Sequence, residues 1–307
     1  MFKLAALFVI FTFTECTYGA TWVYSQGPYG PENWLNSYDA CGTMSQSPID
    51  IVHGATVADE KLGKFNRTTF TAIPDKMTLL NNGHALQVNL EGGYTVSDRN
   101  VLPGDYQAFQ FHLHWAAVNQ SRGSEHWIDG KQYFAELHIV HYNTKYASIG
   151  EALTQHEGLA VLGVFVAIGS ETNENIDLLL NPIAQIQQYN QQMIYSSKFD
   201  IGRFLPEDLE NYYRYSGSLT TPPCFESVVW TVFNEPIYIS RAQAETLQTS
   251  LYARANSTDL VGGNYRLPQP LHDRKISRPG KSGASPLTST ILLHVTSMLV
   301  TAYALRF

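Results

Sequence analysis

Long, mostly apolar stretches stand at the two ends of this chain; between them strand-like runs are more frequent than long amphipathic helices. Residues 2–15 hold one Lys and then a largely apolar stretch at 4–13, followed by the small residues Gly19 and Ala20. That stretch is too short to cross a bilayer, and it predicts a secretory signal peptide at 1–20, removed on export, with a buried N-terminal helix as the competing reading. At the other end Lys281, Ser282, Gly283, Ala284 and Ser285 lead into Pro286 and a mostly apolar run at 287–305. Small residues, a short polar spacer and a terminal apolar tail form the signal for exchange of the tail for a GPI anchor. A retained membrane helix is normally followed by a basic flank, whereas only Arg306 and Phe307 follow here. The expectation is attachment at Ser282, with Ser285 and Gly283 as alternatives, a stalk and attachment region at 276–285, and loss of 286–307. The chain then belongs on the outer leaflet of the plasma membrane.

Residues 21–275 remain as one domain, with no internal repeat, low-complexity tract or linker. Period-two runs such as 109–115, 133–142 and 227–233 predict strands. Helical signals are few: 206–209, and 240–253, where Ser240 stands as N-cap.

Composition narrows the class. A formal charge of -7, from 20 basic and 27 acidic residues, leaves no basic surface for phosphates, so a nucleic-acid partner is not expected. Three cysteines rule out a four-thiolate metal site. Cys16 would leave with the signal peptide, so Cys41 and Cys224 form an even pair in an oxidising compartment and predict a disulfide; two free thiols are the alternative. Asn66, Asn119 and Asn256 open N-glycosylation sequons in turn-like segments.

The chemistry lies on two of the predicted strands. In the first, His112 and His114 are two apart and share one face, while Phe111, Leu113 and Trp115 share the other. Such a pair is half of a zinc site but is common by chance. The second strand supplies His138 and, on the same face, Glu136, a carboxylate that burial would penalise unless it accepts a ring N–H from a neighbouring histidine. Three imidazoles without a thiolate leave zinc an open position for water, the mark of a catalytic rather than a structural site. His126 and His141 read as hydrogen-bonded core residues, His53, His156 and His272 as surface ones, and His294 falls in the tail.

These residues resemble the α-carbonic anhydrases. The resemblance runs through Gln-Phe-His-Leu-His-Trp at 110–115, Gly-Ser-Glu-His at 123–126 and Ala-Glu-Leu-His-Ile-Val-His at 135–141. It continues through Gly-Leu-Ala-Val-Leu-Gly at 158–163 and Tyr-Ser-Gly-Ser-Leu-Thr-Thr-Pro-Pro at 215–223, with Gln-Ser-Pro-Ile-Asp-Ile at 46–51 and Asn-Asn-Gly-His at 81–84 upstream. Secretion, the cysteine pair and the anchor signal make the chain look like the extracellular, isozyme IV- and XV-like subgroup. The fold implied is mainly β (α+β), a single domain with a large twisted, mostly antiparallel central sheet and short peripheral helices.

The resemblance implies an activity and a set of roles. The activity is reversible hydration of carbon dioxide to bicarbonate and a proton, by hydroxide on a zinc ion held by His112, His114 and His138. Thr220 would orient the hydroxide and donate to Glu125. Thr220, Thr221, Val140, Val161, Leu219, Val228 and Trp230 would line the substrate site, with His84 as proton shuttle. Asn82 and Gln87 would order water toward His84, while Gln110 and Glu136 would hold the zinc histidines. Sulfonamide-type inhibitors are expected; a bicarbonate transporter is a conceivable partner that the sequence does not identify. Ile149 stands at a rim position that is often aromatic in the family. The alternative is a catalytically silent binding or adhesion module on the same fold, a class marked by loss of zinc histidines; none is lost here.

Overall fold

The computed structural model describes residues 22–280. The signal peptide, Cys16, the Ser282 attachment site with its alternatives, and the apolar tail lie outside the described residues. The strands are β1 (Asp50–Ile51), β2 (Val57–Asp59), β3 (Lys76–Asn81), β4 (Leu86–Glu91), β5 (Thr95–Val96), β6 (Tyr106–Trp115) and β7 (Trp127–Ile128). They continue with β8 (Ala135–Asn143), β9 (Leu159–Gly169), β10 (Gln192–Ile194), β11 (Tyr212–Gly217), β12 (Val228–Ser240) and β13 (Ser277–Pro279). Three helices are short: α1 (Ile149–Ala152), α2 (Glu174–Leu180) and α3 (Arg241–Ser250).

One sheet dominates, in the order β10-β3-β4-β6-β8-β9-β12-β11-β13-β2, with β5 alongside β6. Its pairs are antiparallel except β9 with β12 and β13 with β2. The expected mainly-β fold with a mostly antiparallel central sheet is what the chain adopts. The middle strands have both faces covered, so β8 and the apolar first part of β9 are buried almost throughout. Phe111, Leu113, Trp115, Leu137, Ile139 and Leu162 pack into the larger core on one face, each buried side chain contributing about 1.5–3 kcal/mol. The opposite face holds a smaller cluster containing Val140, Val161, Val228 and Trp230.

The helix at 240–253 forms as Arg241–Ser250, three residues shorter at its end. Ser240 caps it in a full capping box with Gln243. Beyond Ser250 the backbone turns to other partners: Tyr252 N donates to Gln187 O, and Ala253 N to Asp259 O. The helix expected at 206–209 is absent. A 3-10 turn occupies Ile201–Phe204 instead, and side chains satisfy the backbone that follows. The Arg67 guanidinium donates to the carbonyls of Gly202 and Pro206, Asp208 N donates to Glu235 Oε2, and Asp208 Oδ1 accepts from Glu210 N and Asn211 N. With those groups taken, a helical turn has nothing to gain there.

At the domain's end, Ile276 is buried and β13 inserts between β11 and β2. Cys41 and Cys224 form a disulfide. With 183 positions between its ends, that closure stabilises the fold by up to about 5 kcal/mol in the chain-entropy picture.

Candidate metal centre and its surroundings

Register places the site. In the β6–β8 ladder His112 stands opposite His138, and His114 opposite Glu136. Because alternate residues share a face, the three histidines meet on the side of the sheet away from the larger core. His114 and His138 are buried and His112 is half-buried. The row through His138 continues to Gly163 on β9, where a Cβ would sit 3.1 Å from Glu136 Oε1; the missing side chain makes room for that carboxylate.

Each ring has one nitrogen taken. His114 Nδ1–H donates to Asn264 O at 2.7 Å, an acceptor that leaves no choice of tautomer. His112 Nδ1 meets Gln110 Oε1 at 3.0 Å, and His138 Nε2 meets Glu136 Oε1 at 2.7 Å. The free nitrogens are therefore Nε2 of His112, Nε2 of His114 and Nδ1 of His138, and all carry lone pairs. Two of these, on His112 and His114, face each other at 3.0 Å. Glu125 Oε2 joins them, 3.4 Å from His114 Nε2 and 3.9 Å from His138 Nδ1. Three imidazole lone pairs converging in a buried pocket repel unless a cation lies among them, so the donor set fits a metal ion. Burial holds the rings neutral, as ligation requires: it pushes His114 down to about 3 and lowers His112 and His138.

A second group with metal-ligand chemistry, His126, Glu136 and His138, has its donors in use. Glu136 Oε1 takes His126 Nδ1 and His138 Nε2, each at 2.7 Å, and Oε2 takes the backbone N–H of Glu125 and His126. Burial alone would raise the Glu136 carboxyl, but the two adjoining imidazoles hold it well below the usual carboxylate range. From His126 Nε2 the network continues through the Tyr215 hydroxyl (2.6 Å) to Ser47 Oγ (2.8 Å), which accepts from Ser218 N, two residues before Thr220.

Thr220 is buried and its hydroxyl bonds Glu125; Glu125 Oε1 accepts from Arg266 N at 2.8 Å. Burial pushes the Glu125 carboxyl up, and those two bonds oppose it. The Arg266 guanidinium is itself buried, donating to Gln46 Oε1, Ser47 O and Cys41 O, which ties the disulfide to the Glu125 carboxylate. Val140, Val161, Val228 and Trp230 form one cluster against which Leu219 and Ile149 pack, and Thr221 is half-buried beside Thr220.

His84 sits in the β3–β4 turn, stacked on Trp22 with ring centroids 3.9 Å apart. It borders a cavity of about 490 Å³ shared with Trp22, Tyr24 and Asn264. Burial lowers its pKa to about 4. Asn82 has its polar atoms committed: Oδ1 accepts from His84 N and Ala85 N, and Nδ2 donates to Gln87 Oε1 at 2.9 Å. Asn66, Asn119 and Asn256 are exposed, the last two in left-handed turn conformation.

A strand-borne pocket of three histidines beside a buried Glu–Thr pair agrees with the comparison of sequences. The model of the eukaryotic-type carbonic anhydrases matches residues 29–279. The chain belongs to that family. It is 40% identical to carbonic anhydrase 12 of Homo sapiens over 238 residues, 76% of this chain and 65% of that protein. Carbonic anhydrase 6 of Homo sapiens is 37% identical over 259 residues, covering 83% of this chain and 82% of the relative. Its Bos taurus counterpart is 36% identical over 259 residues, 83% of this chain and 79% of its own length. Of the groups that border this family's site in the present chain, Asn264, Arg266, Tyr215 and Trp22 were not among the residues expected from sequence. Asn264 meets His114 through its backbone carbonyl, which any amino acid could offer, so no sequence signal marks it.

Proposed function

We propose that this carbonic anhydrase is catalytically active, hydrating carbon dioxide reversibly to bicarbonate and a proton at the outer cell surface. One observation carries the reading: the lone pairs of three neutral imidazoles converge on one buried spot beside Glu125 Oε2. Zinc suits the set: Nε2 of His112 and His114 and Nδ1 of His138 would hold it, and it would supply a water that ionises near neutral pH. Gln110, Asn264 and Glu136 fix the tautomers of those rings. Thr220, bonded to Glu125, directs a lone pair of the nucleophile toward the apolar wall, where Val140, Val161, Leu219, Val228 and Trp230, with Thr221 beside them, hold an apolar substrate.

His84 carries the released proton to buffer. Burial in the Trp22 stack holds the ring at about 4, below the range best suited to that work, so solvation of the ring governs its use as a shuttle. The Cys41–Cys224 disulfide supports an oxidising compartment, in keeping with the signal and anchor sequences and the three exposed sequons. The silent-module alternative would need a missing ligand, and every group of the centre is present.

Stopped-flow hydration of carbon dioxide tests the activity. The expected result is a fast rate lost to chelators and restored by zinc, with His84→Ala slowing turnover mainly in dilute buffer. No rate above buffer from folded, zinc-loaded protein would refute it. Anchoring is tested separately: phosphatidylinositol-specific phospholipase C should free the enzyme from cells.

A further inference from the structure

Asn264 is fully enclosed, 2% exposed, and belongs to none of the regular elements. Its backbone carbonyl accepts from His114 Nδ1 at 2.7 Å. Its side chain reaches in two directions. Oδ1 accepts from Trp115 N at 2.8 Å, and Nδ2 donates to Leu113 O at 3.1 Å, so it grips β6 on either side of the metal-site residue His114. The second Nδ2 hydrogen goes to His84 O at 2.8 Å. A single buried amide thus spans the gap between the strand bearing the metal site and the turn bearing His84.

That turn is otherwise held from its own side. Asn81 Oδ1 accepts from Gly83 N, Asn82 Oδ1 accepts from His84 N and Ala85 N, and Asn81 Nδ2 donates to Gln187 O and Tyr252 O. Gly83 takes a φ of +83°, in the left-handed region that favours glycine. The β4–β6 ladder, with Gln87 opposite His112, ties the strand leaving the turn to β6, and the Asn264 amide adds a bond from β6 to His84 itself. Proton transfer through ordered water depends steeply on the separation of its ends, and a misplacement near 1 Å can lower a rate by orders of magnitude.

We infer that Asn264 is a positioning residue for proton transfer: its side chain sets the distance between the metal centre and His84. This rests on the reading of His84 as shuttle. His114 is held by the backbone of residue 264, so side-chain substitution removes no hydrogen bond to that ring; the bonds lost are those to His84 O, Leu113 O and Trp115 N, and the kinetic comparison below separates the first from the other two.

The test compares zinc-loaded wild type, Asn264→Ala, His84→Ala and the double variant, in dilute buffer and again with concentrated imidazole. Asn264→Ala should lose about an order of magnitude in kcat in dilute buffer, recover with imidazole, and lose much less in kcat/KM. The double variant should be no slower than His84→Ala alone, since both act on one step. As a readout independent of activity, the His84 ring proton shielded by Trp22 should shift in the NMR spectrum of zinc-free Asn264→Ala. Should the alanine variant not fold, Asn264→Asp keeps the acceptor for Trp115 N, removes the amide donors, and carries the same comparison. Equal losses in kcat and kcat/KM without imidazole recovery would overturn the proposal. A buffer-sensitive His84→Ala beside a buffer-insensitive Asn264→Ala removes only the strut, whereas an insensitive His84→Ala removes the shuttle reading and the strut with it.

Discussion

Replacing Glu136 by Gln keeps the shape of the side chain and removes its ability to accept four hydrogen bonds. In the native protein Oε1 takes two ring N–H groups at 2.7 Å each, and Oε2 takes two backbone N–H groups at 3.0 and 2.8 Å, with the residue wholly buried. An amide accepts on its oxygen alone. If its NH2 faces the backbone, two buried donors lose their acceptor, at about 1–3 kcal/mol each. If it faces the rings, His138 must carry its proton on Nδ1, the atom that points toward the metal position. Both arrangements weaken metal binding, and loss of such an outer partner typically lowers affinity about 10–100-fold, or about 1.4–2.7 kcal/mol. Competitive dialysis of zinc against a chelator at neutral pH measures this directly, and melts of the zinc-free protein report the structural part.

The substitution should also alter acid behaviour. The Glu136 carboxyl sits well below its ordinary 4.5 in the folded chain, so its stabilisation is complete above that value and lost as pH falls through the lower folded one. Glu136→Gln removes that component. An unchanged zinc dissociation constant in a folded Glu136→Gln protein would refute the argument that this carboxylate sets the His138 tautomer.

Two further outcomes follow from buried imidazoles. His141, fully buried between the Tyr94 hydroxyl and Ala160 O, is pushed from 6.5 down to about 4 by burial, so between those values the unfolded chain binds a proton that the native one refuses. Stability should therefore fall by up to about 3 kcal/mol as pH drops through that window; urea midpoints at stepped pH should show a flatter slope in His141→Gln, and parallel curves would refute the assignment. Trp22→Ala should uncover the His84 ring and raise its pKa from about 4 toward 6.5, read by NMR titration; an unmoved titration would mean that burial by Trp22 is not the cause.

Much of the site was legible because strand alternation is a local rule. Two residues apart on a strand means one face, and that alone put His112 beside His114 and Glu136 beside His138. The helix at 240–253 was readable for the same reason, since Ser240 and Gln243 cap it within one turn. The segment at 206–209 was not, because Arg67, about 140 positions away, competes for its carbonyls.

The sequence by itself put His112 with His114 and Glu136 with His138 on common strand faces through period-two patterning, while the mainly-β class and the places of Glu125, Thr220 and His84 came with the family resemblance that its motifs carry. Only the tertiary structure decided that His112 stands opposite His138, which nitrogen of each ring is free, and that Asn264 joins His114 to His84 across about 150 and 180 positions of chain. The physical reason is the nature of the groups involved. Register is set by whole ladders, and tautomers by whichever acceptor lies beyond the ring. A backbone carbonyl or a buried amide serves there without leaving a pattern that can be read along the chain.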